Sequence, residues 1–164
     1  MATASVGIFQ LDLEIDQEKL EQQLNKKLGH IGNKTLQVGF LDNQKMYERA
    51  YKNEYGFTEK VELPDIGWRT IETPARPFMF VAFHSCKHEY VPRLIKALKA
   101  NNNMDDALLA LGADITNDIH DSIDGLLQKW EQNAPYTIFM KGRDQPLVDT
   151  GEMKNSVNCK VTNS

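Results

Sequence analysis

Asp149 has the most familiar catalytic setting in this sequence, because it begins an Asp-Thr-Gly triplet after the apolar pair Leu147-Val148. Aspartic proteases use two such carboxylates that share a proton, since like charges held close together do not both ionise. A homodimer would supply both copies. Those enzymes also need a flap and further strands after the aspartate, and 13 residues follow Gly151. We therefore interpret the segment as a turn, in which Asp149 accepts local backbone hydrogen bonds and Gly151 supplies a permissive φ.

A second set of chemically capable side chains is His84, Cys86 and His88. On a strand, the period of two places all three on one face, and imidazole with thiolate suits zinc. The fourth ligand would have to come from elsewhere, and no pair of cysteines has the CxxC spacing of a structural zinc site. We interpret this stretch as a strand end with scattered polar residues and expect neither a metal nor a cofactor.

Other enzyme signatures are missing from the sequence. No glycine-rich phosphate loop precedes a Lys-Ser/Thr pair, and no Gly-x-Ser-x-Gly elbow occurs. Lys141-Gly142-Arg143 forms a small basic patch in a turn, suited to contact with phosphate or an acidic neighbour. We therefore expect a protein that is not an enzyme and has no catalytic residue.

Composition narrows the class of protein further. The chain has 164 residues, of which 41% are hydrophobic and 26% charged, as in ordinary globular proteins. Its formal charge of −4 argues against a generalist nucleic-acid binder, which is usually basic. We expect no membrane span, because no apolar run approaches the roughly 20 residues that a span needs, and no signal peptide. Cys86 and Cys159 are expected to be free thiols. One domain, 1–164, is predicted.

Periodicity predicts the elements of the first part of the chain. Alternating apolar residues indicate a strand at about 6–15 and a second strand through Leu36, Val38 and Phe40. Helices are predicted at about 17–29 and 44–55. Several glycines and prolines interrupt residues 56–77, which are predicted as an extended loop with a short strand at Trp68–Ile71. Long loops are often functional, so this one is a candidate contact arm.

The second part of the chain is richer in helix. The apolar run Phe78–Phe83 predicts a buried strand, followed by a helix at about 88–100. A long amphipathic helix is predicted at about 104–132, with Leu126 and Trp130 on its apolar side. Residues 134–164 are rich in turn formers, with a last strand at about 156–161. The order predicts an α+β fold, with a small, mostly antiparallel sheet packed by helices. The wet face of the long helix is predicted to carry Asp114, Asp118, Asp121 and Asp124.

The C-terminal residues resemble a signature of tailed-bacteriophage tail-completion proteins, also called head–tail joining, neck or minor tail proteins. Their pattern is a threonine, a Lys-Gly, and then Pro-Leu-(apolar)-Asp-Thr-Gly-x-(Met/Leu)-x-x-Ser-(apolar). Asn53–Gly56 is similar to the family's Asn-Glu-(aromatic)-Gly, and Pro74–Phe78 to its Pro-Ala-Arg-Pro-Phe. Residues 107–123, with Gly112, resemble its long helix. The C-terminal matches are Thr137, Lys141, Gly142, Pro146, Leu147, Val148, Asp149, Thr150, Gly151, Met153, Ser156 and Val157.

This resemblance implies a structural virion protein of the phage neck or tail top, made in the host cytoplasm. It would form a ring, six-fold by the family's habit, that completes the tail and joins the tail tube to the head connector. Genomic DNA would pass through the lumen without specific binding, and an acidic lumen face at Asp114, Asp118 and Asp121 would repel it. Two alternatives stay open: an assembly adaptor or chaperone absent from the particle, and a small enzyme that uses either Asp149 or His84, Cys86 and His88.

Two segments are predicted to form the contacts between subunits. In the first, Pro74 and Pro77 stiffen the chain around Arg76, whose guanidinium offers a planar donor fork, and Phe78 follows. Stiffness lowers the ordering cost of docking. The alternative is that Arg76 pairs within its own subunit and that the Asp-Thr-Gly turn determines the fold. The second predicted surface comprises Lys141, Arg143, Pro146, Leu147, Asp149, Thr150 and Gly151.

Overall fold

The computed structural model describes residues 3–6, 9–12, 34–63, 67–101 and 103–163. Most of the strands lie in the first half of this part of the chain and most of the helices in the second half. The elements are β1 Thr3–Val6, β2 Phe9–Asp12, β3 Lys34–Gly39, α1 Gln44–Tyr55, β4 Phe57–Leu63, β5 Gly67–Thr73, α2 Phe78–Ala100, α3 Met104–Ile123, α4 Pro135–Lys141, α5 Glu152–Asn155 and β6 Asn158–Asn163.

The described strands form two sheets. The larger has the order β2-β1-β3-β6, in which β1 and β3 are parallel and the other pairs antiparallel. The smaller is the antiparallel pair β4–β5. Helix α3 packs on β3 and β6 and, on another side, on α2. The predicted α+β fold with a small, mostly antiparallel sheet covered by helices is confirmed.

The core lies between the larger sheet and the helices. Its buried side chains come from β3, α1, α2 and α3, joined by Phe40 just after β3 and by Leu147, Met153 and Val157 of the C-terminal segment. The closest approach is at Gly112 of α3, where a Cβ would lie 2.7 Å from Cys159 Sγ and 3.0 Å from Leu36 Cδ1. A glycine in this helix therefore lets the helix backbone lie directly on the sheet.

Replacement of Gly112 by alanine is expected to lower the free energy of unfolding by about 1–3 kcal/mol, the usual cost of overpacking a core. The added methyl group has to displace Cys159 on the adjacent strand β6. Urea denaturation followed by circular dichroism measures the change. Ala113→Ser, at an exposed position of the same helix, is the control and is expected to stay within about 0.5 kcal/mol of wild type. Equal stability of the two variants would contradict the close approach.

Two expectations for the N-terminal part have different outcomes. The strand expected at about 6–15 is confirmed at Phe9–Asp12, whereas Val6 belongs to a separate strand, Thr3–Val6, which pairs with it in antiparallel orientation. The helix expected at about 17–29 lies outside the described residues. The predicted strand through Leu36 and the helix at 44–55 are confirmed as β3 and α1.

The strand predicted at Phe78–Phe83 is wrong, because these residues are the first turns of the helix α2. Five of the six are buried, namely all except Phe80. A helix buried on most sides has a continuous apolar run, which periodicity alone does not distinguish from a buried strand. The predicted helix at 88–100 is therefore the second half of a longer one, which continues through Pro92.

The long helix beginning near residue 104 is confirmed, but it ends at Ile123 rather than at about 132. Gly125 has a φ of 78°. Its N–H donates to the Ser122 carbonyl, and the Leu126 N–H donates to the Asp121 carbonyl. This is the Schellman arrangement that ends helices at a left-handed glycine. Leu126, predicted on the apolar face, is consequently exposed.

The extended loop predicted at 56–77 is wrong as a description of most of that segment. Residues Phe57–Leu63 and Gly67–Thr73 pair in register from Phe57–Thr73 to Leu63–Gly67. We call this antiparallel pair of strands, 57–63 and 67–73, the arm. The turn-rich segment after residue 134 contains two short helices, and the predicted last strand is confirmed as Asn158–Asn163. None of the helices in the described residues has the length and apolarity required to cross a membrane.

Candidate functional site

Three of the four sequence motifs that carry the resemblance meet in space. Asn53–Gly56 ends α1, Pro74–Phe78 enters α2, and residues 141–153 of the C-terminal segment approach both. We call this region the motif junction. The Asn53 carbonyl accepts a hydrogen bond of 2.7 Å from the Arg76 N–H. Asn53 Nδ2 also lies 3.9 Å from Met153 Sδ. Segments far apart in sequence are thus fixed to one another.

Glu54 is the most unusual residue of the motif junction. Its side chain is only 2% exposed. Oε2 accepts from the Met79 N–H at 2.9 Å and Oε1 from the Phe80 N–H at 3.0 Å. A carboxylate at this place caps the free amides and complements the positive end of the α2 dipole. Burial nevertheless raises the pKa of Glu54 to about 7, although the two backbone hydrogen bonds act in the opposite direction.

Sequence reasoning missed this role of Glu54. A signal was present, because Met46, Ala50 and Glu54 are spaced by four residues and share the buried side of α1. An acidic residue on an apolar stripe requires donors from another element. The identity of those donors could not be read from the sequence, because they belong to a helix that begins beyond the arm.

The base of the arm is held tightly at Gly56, which has a φ of 72°. A Cβ at this position would lie 2.8 Å from the Ala75 nitrogen and 2.9 Å from the Thr73 carbonyl oxygen. Both are backbone atoms, so no side-chain movement would relieve the contact. Lys52 lies over the Phe57 ring, 5.1 Å from its centre, and on the same side 3.9 Å from a Glu59 carboxylate oxygen. The two ends of the arm are therefore anchored at the motif junction.

Arg76 and Phe78, predicted as contacts between subunits, are buried within their own chain, with 5% and 0% exposure. Arg76 Nη2 donates to the Glu131 carbonyl at 3.1 Å and lies 3.5 Å from the Gln132 carbonyl. Phe78 packs edge-on against Phe40. Their predicted interface role is therefore corrected to a role in the fold. Of the flanking prolines, Pro74 is exposed and Pro77 half-buried.

The second predicted surface forms a turn over the motif junction. Lys141 Nζ donates to the Val148 carbonyl at 3.2 Å, and Arg143 donates to the Asp149 carbonyl. The Thr150 hydroxyl accepts from the Glu152 N–H at 3.3 Å. Leu147 is buried, which corrects its predicted surface role, and Pro146 and Gly151 are half-buried. The exposed members are Arg143, Asp149 and Thr150.

Basic side chains gather at the outer side of this turn. Arg49 Nη2 lies 3.8 Å from Asp149 Oδ2. Burial lowers the pKa of Lys141; Asp149 opposes this shift, and the nearby charges of Arg49, Arg76 and Arg143 reinforce it. Asp149 thus has an ion-pair partner in its own chain.

The three candidate zinc ligands are distributed around a helix. His84, Cys86 and His88 all belong to α2, so the strand geometry that would put them on one face is wrong. Cys86 is buried, whereas both histidines are exposed. Desolvation, with a further contribution from Asp118, raises the pKa of Cys86 to about 11, which disfavours a thiolate. Among the described residues, no group of three His, Cys, Asp or Glu side chains could hold a metal ion. Both cysteines are free.

The acidic face of α3 is less uniform than predicted. Asp118 is buried, and its Oδ2 accepts from Arg93 Nη1 at 2.6 Å, so its expected place on a wet face is wrong. Arg93 also donates to Glu89 at 2.6 Å, which makes this a helix–helix ion-pair cluster. Asp114 is exposed, and Asp124 pairs with Lys154.

Comparison with known proteins adds no relative to these observations. No family model matches the chain, and no curated protein and no solved structure matches it.

Proposed function

We propose that this chain is a non-enzymatic structural protein of the neck or tail top of a tailed phage. In this proposal it forms a ring, six-fold by analogy with the family it resembles, that completes the tail and joins the tail tube to the head connector. DNA passes through the lumen of the ring without specific binding. The particle is its final location, and the host cytoplasm is the place of assembly.

The observation that carries the proposal is the convergence of the motifs at one place. The resemblance rests on short matches, each of which is weak alone. Asn53 bonds the backbone of Arg76 and approaches Met153, so members of three separate matches are in direct contact. Asn53–Gly56 and Pro74–Phe78 flank the paired strands of the arm, which brings these two matches together, but the arm does not account for the approach of Met153 from the C-terminal segment. The meeting of the C-terminal match with the other two favours a shared fold, and thereby the family's role.

The arm supports an assembling role independently of the motifs. None of its described side chains is buried, and its two strands form a sheet of their own. An isolated two-stranded hairpin is only marginally stable in water, and its edges are unpaired. A protein that works inside an assembly can cover such an element with a neighbouring subunit.

The proposal is tested by counting this chain in purified virions with quantitative mass spectrometry, relative to the portal protein. A ring predicts a small fixed number, either about equal to the portal count or about half of it. The major tail tube protein, measured in the same digest, is the control for completeness of extraction.

Three outcomes of this count decide the proposal. A small fixed ratio supports a neck or tail-top ring. Complete absence from infectious particles would overturn it and favour the assembly adaptor. A ratio that grows with tail length would also overturn it, because a completion ring occurs once per tail.

A further inference from the structure

Trp68 and Glu62 are cross-strand partners in the arm, with the Cα register Glu62–Trp68. Directly opposed residues of an antiparallel pair point to the same face. The Trp68 side chain is 63% exposed, and Glu62 is also exposed. No ion pair of Glu62 occurs among the described residues. The arm therefore presents a large aromatic ring with a carboxylate beside it. Tryptophan is enriched among the side chains that dominate binding at interfaces.

Helix α4 presents the complementary chemistry. Tyr136, Phe139 and Met140 are spaced three and four residues apart and therefore share one face. Their side chains are 53%, 81% and 65% exposed, and no residue of α4 is buried. An exposed apolar patch of this kind is typical of an interaction site. We call these three residues the α4 face.

Positive charge lies at the C-terminal end of the α4 face. Lys141 ends the helix, and Arg143 follows the left-handed Gly142. Arg143 is exposed, and its hydrogen bond goes to a backbone carbonyl. This bond does not neutralise the positive charge of its guanidinium. Arg49 and Arg76 add to the local positive charge. Burial is the main cause of the lowered pKa of Lys141, and the charges of these two arginines lower that pKa further. The acidic groups around this cluster are Asp149, beside Arg49 and Lys141, and Glu131 and Asp144, beside Arg76.

We propose that the arm of one copy of this chain docks on the α4 face of a second copy, with Trp68 against Phe139 and Met140 and with Glu62 paired to Arg143. This inference rests on the proposed ring, because a contact between two different surfaces of identical subunits closes into a ring or continues into a filament.

Charge complementarity selects a second copy as the occupant. An apolar group flanked by an acid fits an apolar patch flanked by a base, and both halves occur on this chain. DNA would suit the basic end of α4, but its phosphates offer no match to the apolar face. Docking also covers the exposed side chains of Trp68 and of the α4 face in one contact. With seven residues in each strand, the arm is about 23 Å long.

A charge-swap experiment on the full chain tests the docking. Wild type, Glu62→Arg, Arg143→Glu and the combined variant are compared by sedimentation velocity over a range of concentrations. Each single reversal is expected to weaken self-association by about tenfold or more, since each creates a like-charge contact. The combined variant is expected to recover most of the loss, because it restores an opposite pair across the contact. Lys96→Glu, an exposed reversal on α2, is the control.

Every outcome bears on the docking. Loss in the single variants with recovery in the combined one supports it. Full association of all variants, a loss without recovery, or a monomeric wild type at every concentration overturns it. So does an Arg143→Glu variant that binds duplex DNA less well while its self-association is unchanged. The virion count is a separate measurement. If the chain is absent from virions but the combined variant recovers self-association, only the proposed function is refuted. If the count fits a ring but the combined variant does not recover self-association, only the docking is refuted.

Discussion

Replacement of Phe78 by alanine is expected to lower the free energy of unfolding by about 3–5 kcal/mol, the usual cost of truncating a buried phenylalanine. The side chain is completely buried at the first turn of α2. Its ring meets Phe40 edge-to-face, with 6.3 Å between the centroids and an interplanar angle of 89°. The cavity would open where α2 meets the end of β3, so the neighbouring elements have little freedom to collapse into it. Urea denaturation followed by circular dichroism measures the loss.

Phe80→Ala is the matched control for this prediction. Phe80 belongs to the same turn of α2, but 51% of its side chain is exposed, and its ring stacks on His84. Its truncation is expected to cost less than about 1 kcal/mol. The difference in the free energy of unfolding between Phe78→Ala and Phe80→Ala shows whether Phe78 stabilises the fold, as its burial indicates, or serves only as the interface residue expected from the sequence. A Phe78→Ala variant that unfolds like wild type but no longer self-associates would contradict the buried position and restore the interface.

Glu54→Gln is expected to remove a pH dependence of stability between about pH 4.5 and pH 7. The pKa of Glu54 rises from 4.5 to about 7 in the folded chain, mainly through burial. A carboxyl whose pKa is raised by folding binds its proton more tightly in the folded state. Its contribution to stability is therefore complete below pH 4.5 and is lost as the pH rises through 7. The loss is roughly 3 kcal/mol, from about 1.4 kcal/mol for each pKa unit.

The measurement is urea denaturation of both chains at several pH values. The glutamine keeps one oxygen to accept from the α2 amides but carries no charge, so the curve of the variant is expected to be flatter than that of wild type. Other titrating groups contribute equally to both chains and cancel in the difference. Glu48→Gln, an exposed position of α1, is the control and is expected to leave the slope unchanged. Equal slopes for wild type and Glu54→Gln would refute a buried carboxyl with a raised pKa.

Much of the fold could be predicted because local signals agreed with tertiary packing. β3 and α1 have the expected alternation and helical spacing. The start of α3 has its capping asparagine, since Asn103 Oδ1 accepts from the Asp106 N–H at 2.7 Å. The entry of α2 could not be predicted in the same way, because its cap comes from Glu54, across the arm. A helix whose N-terminus is completed by a distant side chain has no complete local signature.

The arm was predicted as a contact element but not as a pair of strands. The prolines and glycines of this segment led to the prediction of a loop. The alternation of polar and apolar residues that a strand requires was nevertheless present, with Thr58, Lys60 and Glu62 between Phe57 and Val61 and beyond. For the motif residues the difficulty was of another kind. The resemblance placed an interface at these residues, but a sequence pattern does not distinguish side chains that bind a neighbour from those that hold the subunit together. Burial makes that distinction for Arg76, Phe78 and Leu147.

Strand β3 has a consequence for how the chain acquires its structure. It pairs with β1 on one side and with β6 on the other, so its neighbours come from opposite ends of the described sequence. Pairing between residues far apart in sequence slows folding, because the chain loses entropy on closing the loop before the paired strands stabilise it. The helical pair α2–α3, adjacent in sequence, can form early, whereas β6 follows every other described element along the chain. Until β6 is made, β3 can cover the Leu36 side of the α3 surface around Gly112, but the side that Cys159 covers in the folded protein stays open to solvent.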